Sequence, residues 1–121
     1  MPKTVLVADD NASIRKSLCK MFALEKDYDL SAEAVDGEEA IALAKQHKPD
    51  LIILDFQMPV MNGIEVAHEL KRIMPAVPII LLTQHADTMK YALGRNSPID
   101  LVVAKSDAVN IRERVRSLIP V

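Results

Sequence analysis

The chain has 121 residues, a net charge of −2 and half its residues hydrophobic, yet only two Phe, two Tyr and no Trp. That length suits one domain spanning 1–121, which buries roughly two-thirds of its unfolded surface without staples, in a core that has to be aliphatic. The slight acidity argues against direct nucleic-acid contact and against a polybasic membrane surface, and a single cysteine, Cys19, excludes an internal disulfide framework and fits a reducing compartment.

The chain opens MPKTVLVADD, one Lys before a short aliphatic run, which does not read as a secretory signal. No apolar run approaches the ~20 residues that span a bilayer, so a cytoplasmic location without a membrane anchor is expected. The run at 4–8 (TVLVA) is followed by a segment, 11–24, that places Ile14, Leu18, Met21 and Phe22 on one helical face. Residues 30–35 (LSAEAV) alternate Leu30 and Ala32 against Ser31 and Glu33, as an edge strand does. Asp36-Gly37-Glu38-Glu39 then opens a second helix with acids in its first turn, where the helix dipole favours them, above a stripe of Ala40, Ile41 and Ala44.

The third run, 51–54 (LIIL), is continuous aliphatic, as a strand buried on both faces must be. A helix over 64–74 follows, burying Ile64, Ala67, Leu70 and Met74 and stopping before Pro75. The run 77–82 (VPIILL) and the run 101–104 (LVVA) are the last two strands, with a short helix over 87–95 between them. A final helix over 107–119 presents Ile111, Val115, Leu118 and Ile119, with Ser106 or Asp107 as its cap. Five such strand–helix units predict an α/β fold around a parallel sheet, with helices on both faces.

In an open parallel sheet, ligands bind beyond the carboxyl ends of the strands. The polar residues there are Asp9-Asp10 after the first run, Asp55 after the third, Thr83 after the fourth and Lys105 after the fifth. Three converging carboxylates repel by about 4 kcal/mol per pair at an effective dielectric of 20, so they need positive charge beside them. Lys105 supplies one charge, and a divalent cation such as Mg²⁺, which takes oxygen ligands and keeps positions for water and phosphate oxygens, supplies the rest. Beside them Asp55 can act as a nucleophile toward a phosphoryl group and form an acyl phosphate. Phosphoryl transfer then asks for in-line positioning and for partners to three equatorial oxygens, and Mg²⁺, Lys105 and Thr83 can each take one.

Asp9-Asp10, the stretch DFQMPVMNG from Asp55 to Gly63, Thr83 and Lys105 together resemble the receiver domain of bacterial two-component response regulators, over essentially the whole chain. The resemblance implies a flavodoxin-like (βα)5 doubly wound parallel sheet of strand order 2-1-3-4-5. It also implies Asp55 as phosphoacceptor, Asp9 and Asp10 as Mg²⁺ ligands with the backbone carbonyl of Gln57 as a further one, and Thr83 and Lys105 as phosphoryl contacts. Mn²⁺ could replace Mg²⁺. The implied partners are a histidine kinase or a histidine phosphotransfer protein, and an output domain or effector at the face of the fourth helix, fifth strand and fifth helix. The chain would promote its own phosphorylation and dephosphorylation rather than turn over a substrate. Gln57 and His85 stand where the family tunes the lifetime of the phosphoryl group. Pro59 stiffens the loop after Asp55, and Gly63 permits a close backbone approach near the next helix.

Three positions depart from the family pattern. Val102 replaces an aromatic, Ser106 replaces a proline, and Gln84 replaces a small residue. None removes a ligand, so the acceptor chemistry is expected to work while the readout is altered. Tyr91 on the fourth helix is not expected to make the family's usual aromatic movement. The alternative is a receiver-like interaction module that acts without phosphorylation. A third reading, a hydrolase with an Asp nucleophile, lacks its general acid, because Gln57 stands two residues after Asp55. Elsewhere Cys19 reads as a helix packing residue, His47 and His68 as surface residues, Met58 and Met61 as packing, and Arg112, Arg114 and Arg116 as a solvated face.

Overall fold

Every apolar run contributes a strand in the computed structural model, the fourth beginning at Ile79 rather than Val77; the structure describes residues 2–94 and 96–121, the side chains of Tyr91, Ala92 and Val109 excepted. The strands are β1 (Lys3–Ala8), β2 (Tyr28–Ala34), β3 (Leu51–Asp55), β4 (Ile79–Thr83) and β5 (Leu101–Ala104). They form one parallel sheet in the order β2-β1-β3-β4-β5, the flavodoxin-like order. The alternating segment, β2, is an edge strand as its pattern predicts. The chain winds outward from β1 to β2 and then returns to β3 on the other side of β1. The crevice beyond the carboxyl ends of β1 and β3 is therefore the topological switch point.

Between the strands lie α1 (Ala12–Ala23), α2 (Gly37–His47), α3 (Gly63–Ile73), α4 (Ala86–Leu93) and α5 (Ile111–Leu118). Because side chains alternate along a strand, the sheet carries a separate core on each face. Leu6, Ile52, Leu54, Ile79 and Leu81 pack with Ala40 and Ala44 of α2 and with Val66, Ala67 and Leu70 of α3. Val5, Val7, Ile53, Ile80 and Leu82 pack with Leu18 and Phe22 of α1 and with Ile111 and Val115 of α5. All residues of β3 and β4 are buried. At about 1.5–3 kcal/mol for each fully buried aliphatic side chain, a slip of either strand by one residue would be prohibitive. The residues that end these strands are thus held in place by cores on both sides.

Two helices differ from expectation. The fourth ends at Leu93, with Gly94 at φ +69°; Arg95 and the side chain of Tyr91 lie outside the described residues. The fifth does not start at Ser106 or Asp107. Residues Lys105–Asn110 form a 3-10 helix first, and α5 begins at Ile111 with no side-chain cap. The α-helix starts at Ile111, which is fully buried. Asp107 Oδ1 instead accepts a bond from the Asn110 side-chain Nδ2 at 2.8 Å. Two of the three arginines on α5 are also not simply solvated: Arg112 and Arg116 pair with Glu25 at 3.3 and 2.8 Å, and Arg116 lies 5.1 Å from the Tyr28 ring centre. Arg114 is exposed as expected. No helix among the described residues is long and apolar enough to cross a membrane.

Candidate functional site

Asp9 directly follows β1 and Asp55 closes β3, so the switch-point crevice is flanked by acids. One carboxylate oxygen each from Asp9, Asp10 and Asp55 lies within 4.8 Å of the others. Asp9 and Asp55 are 0% and 1% exposed, whereas Asp10 faces solvent. Lys105, the first residue after β5, reaches in with its Nζ 2.9 Å from Asp55 Oδ1 and 3.9 Å from Asp9 Oδ2. The Asp9 carboxyl is pushed up to about 6, first by burial and then by the Asp55 charge, against the opposing pull of the Asn11 amide and Lys105. The crowding inferred from the sequence is real.

Among the described residues, the buried side-chain oxygens without a hydrogen-bond partner are Asp9 Oδ2 and Asp55 Oδ2. Leaving a buried acceptor unmade costs about 1–3 kcal/mol, more for a charged one. Two such atoms beside one another, with an exposed third carboxylate at the mouth, are a donor set for a small hard cation. The set is all oxygen, it leaves positions for water or a phosphoryl oxygen, and one lysine cannot satisfy it; it fits Mg²⁺.

Thr83, the last residue of β4, is 2% exposed, and its Oγ1 accepts the backbone N–H of His85 at 3.1 Å. Its own O–H is left to donate toward the crevice. Thr83, Asp55 and Lys105 line one groove with Gln57, Gln84 and His85. All four residues that the sequence places at the strand ends, Asp9, Asp55, Thr83 and Lys105, thus meet at one corner, and Asp10 joins them.

The loop from β3 to α3 is shaped by close contacts. The Gln57 N–H donates to Asp55 Oδ1 at 3.3 Å, and the Gly63 N–H donates to the Phe56 carbonyl at 2.8 Å. A Cβ on Gly63 would lie 2.5 Å from the Asp55 carbonyl oxygen, so only glycine fits there. Between these anchors Val60 sits at φ +72° and 80% exposed, in a three-residue turn closed by the Met61 N–H on the Pro59 carbonyl at 2.8 Å. Met58 and Met61 are partly buried against the core, as expected.

Two capping residues replace the acids as helix starters. Asn11 accepts the Ser13 and Ile14 amides at the head of α1, so Asp9 and Asp10 are free of that duty. Asn62 and Glu65 form a reciprocal capping box on α3, a pattern that N-x-x-E spells out but that the neighbouring Asn-Gly pair disguises as a turn. Cys19 is half-buried, and its thiol is pushed up to about 11, chiefly by burial and then by Glu33, which leaves it inert as a nucleophile. His47 and His68 are exposed. Val102 is 8% exposed and pairs with Leu81, so no aromatic stands behind Thr83 on β5.

The response regulator receiver domain family matches residues 5–116. A transcriptional regulatory protein, PdtaR of Mycobacterium tuberculosis, is 38% identical over 98% of this chain and 62% of its own length. A protein-glutamate methylesterase/protein-glutamine glutaminase of Paramagnetospirillum magneticum is 38% identical over 91% of this chain and 31% of its own length. The chain therefore spans less than two-thirds of these curated relatives. The response regulator domain of Thermotoga maritima CheB superposes with a TM-score of 0.85 at 26% identity, covering 100% of this chain and 98% of that one. The receiver domain of a Francisella response regulator gives a TM-score of 0.83 at 30% identity, covering 96% and 95%. Receiver domains serve two-component phosphorelay signalling, bind Mg²⁺ at an acidic cluster, work with histidine kinases and with output or effector domains, and are in general not turnover enzymes. With the fold and the acidic corner both in place, the chain belongs to the response regulator receiver domain family.

Proposed function

We propose that residues 1–121 act as one receiver unit in which Asp55 accepts a phosphoryl group from a phosphohistidine of a histidine kinase or a histidine phosphotransfer protein. The phosphorus–nitrogen bond breaks as the Asp55 carboxylate forms a phosphorus–oxygen bond, and the imidazole leaves with the electron pair. Lys105 and the Thr83 hydroxyl steady the equatorial oxygens. Asp9, Asp10, Asp55 and the Gln57 carbonyl are the residues that would hold Mg²⁺, or Mn²⁺ in its place, which supplies charge neutralisation. Water later takes the phosphoryl group from the acyl phosphate, breaking its phosphorus–oxygen bond to Asp55 and releasing inorganic phosphate and the free carboxylate, so the chain acts as a self-limiting switch in the cytoplasm. Gln57 and His85, both exposed at the groove, set how readily water reaches it. An output domain or effector reads the state at the face of α4, β5 and α5, without direct nucleic-acid contact by this unit.

The observation that carries this reading is the pair of buried, unpartnered oxygens on Asp9 and Asp55 beside Lys105. Intact-mass measurement after incubation with acetyl phosphate and Mg²⁺ tests it. The expected result is a single phosphoryl adduct that is lost completely in Asp55→Asn and with the metal chelated. A wild-type chain that stays unmodified under every condition points instead to an interaction module, for which Val102 and Ser106 are the sequence support. Turnover of many phosphate esters would point to a hydrolase.

A further inference from the structure

The direction in which Asp9 and Asp10 face is not fixed by β1 alone, because both residues lie beyond its last residue, Ala8. Arg15, half-buried in the first turns of α1, reaches back over them. Its Nη1 donates to the Asp9 backbone carbonyl at 2.7 Å, and its Nε lies 3.5 Å from Glu33 Oε1 on β2. Asp9 is then held at every polar atom except one. Its N–H bonds the Ala34 carbonyl at 3.0 Å, its carbonyl takes Arg15, and its Oδ1 takes the Asn11 N–H at 2.9 Å. The remaining atom is Oδ2, which has no hydrogen-bond partner, the Lys105 Nζ lying 3.9 Å away.

The Asp9 carbonyl belongs to the peptide plane that joins Asp9 to Asp10, so whatever fixes that carbonyl also fixes where the Asp10 side chain departs. Arg15 bonds the carbonyl and neither carboxylate, which leaves the oxygens of the cluster free for another ligand. A guanidinium donates in two directions from separate nitrogens of one rigid plane, whereas an ammonium donates from a single atom on a flexible stem. Groups of this kind, one bond behind the ligand atoms, commonly set metal affinity.

We propose that Arg15 is a positioning residue for the cation: braced by Glu33, it holds the Asp9–Asp10 peptide so that Asp9 Oδ2 and the Asp10 carboxylate converge on one point. This rests on the reading of the acidic cluster as a Mg²⁺ site. The bland alternative is an arginine whose stem merely covers the sheet edge. Calorimetric titration with Mg²⁺ on wild-type, Arg15→Met, Arg15→Lys and Glu33→Gln proteins separates the two, alongside urea unfolding of each in chelator.

Arg15→Met keeps the stem and is expected to weaken Mg²⁺ binding about tenfold. Arg15→Lys is expected to recover part of that loss, and Glu33→Gln to show a smaller loss in the same direction. Unchanged Mg²⁺ affinity in Arg15→Met, with or without a drop in urea stability, overturns the proposal while leaving the cation site standing. Should Arg15→Met not fold, unchanged affinity in Glu33→Gln overturns it equally. Wild-type protein that fails to bind Mg²⁺ brings down the cation reading and this inference together.

Discussion

The two edges of the sheet use aspartate in opposite ways. At the amino edge, Asp50 precedes β3, and its Oδ2 accepts the Thr4 amide at 2.8 Å and the Thr4 hydroxyl at 3.2 Å. Asp100 precedes β5, and its Oδ2 accepts the Ile79 amide at 2.8 Å and Lys71 Nζ at 2.9 Å. Both acids staple neighbouring strands, and both keep contact with solvent. At the carboxyl edge Asp9 and Asp55 are buried deeper, yet each retains an oxygen with nothing to bond. Partnered acids at one end secure the fold. Incompletely partnered acids at the other make the fold less stable than it could be and leave a place for a ligand.

Substitutions that press on the carboxyl edge should have the largest effect on stability. Gly63→Ala forces a methyl against the Asp55 backbone, which cannot give way without moving β3. Urea unfolding should show a loss of about 2–3 kcal/mol, together with weaker Mg²⁺ binding.

Removing the charge conflict should act in the opposite sense. Asp9→Asn keeps an oxygen for the Asn11 amide while deleting one like charge, so the ion-free protein should gain about 1–3 kcal/mol at neutral pH and lose Mg²⁺ binding. The pH dependence follows from the same group. Its proton is held more tightly folded, at about 6, than in the ordinary carboxyl range near 3.8. Between those values the folded state binds the extra proton, so the stability of the ion-free wild type falls as pH rises through that window, and the slope should flatten in Asp9→Asn. Unfolding midpoints measured from pH 4 to 7 in chelator would show this slope or its absence.

The smallest effect belongs to the amino edge. Asp100→Ala removes two bonds from a half-exposed acid and should lose about 1 kcal/mol, with Mg²⁺ affinity unchanged. A change in Mg²⁺ affinity there would break the division between the edges.

Strand ends were legible in the sequence because a doubly covered parallel strand must be continuously aliphatic, and the first polar residue after LIIL or IILL stands at the edge by necessity. The acidic corner followed from that rule alone, and the strand order came only with the family resemblance. Helix starts were less legible. KSDAVN is compatible with the first turn of a helix, yet it forms a 3-10 segment, and the α-helix starts only at Ile111, which is buried in the core. Arg15 could not be read at all, since its role depends on β2 bringing Glu33 and Ala34 alongside Asp9, a pairing between residues far apart in the chain. The arginines of α5 hide for the same reason, because Glu25 meets them only through the packing of α1 beside α5.

Val60 has a wider reach than its exposed side chain suggests. A branched residue turned into the left-handed region is strained by about 1–3 kcal/mol, and the strain persists only because its neighbours outvote it. The span from Gln57 to Asn62 therefore behaves like a drawn bow, strung between the Asp55 contact at one end and the Phe56–Gly63 bond at the other. Slackening either string is expected to release that strain and to loosen the hold on the Gln57 backbone beside Asp55. A substitution in this loop would then disturb the surroundings of Asp55 with every carboxylate of the corner still present.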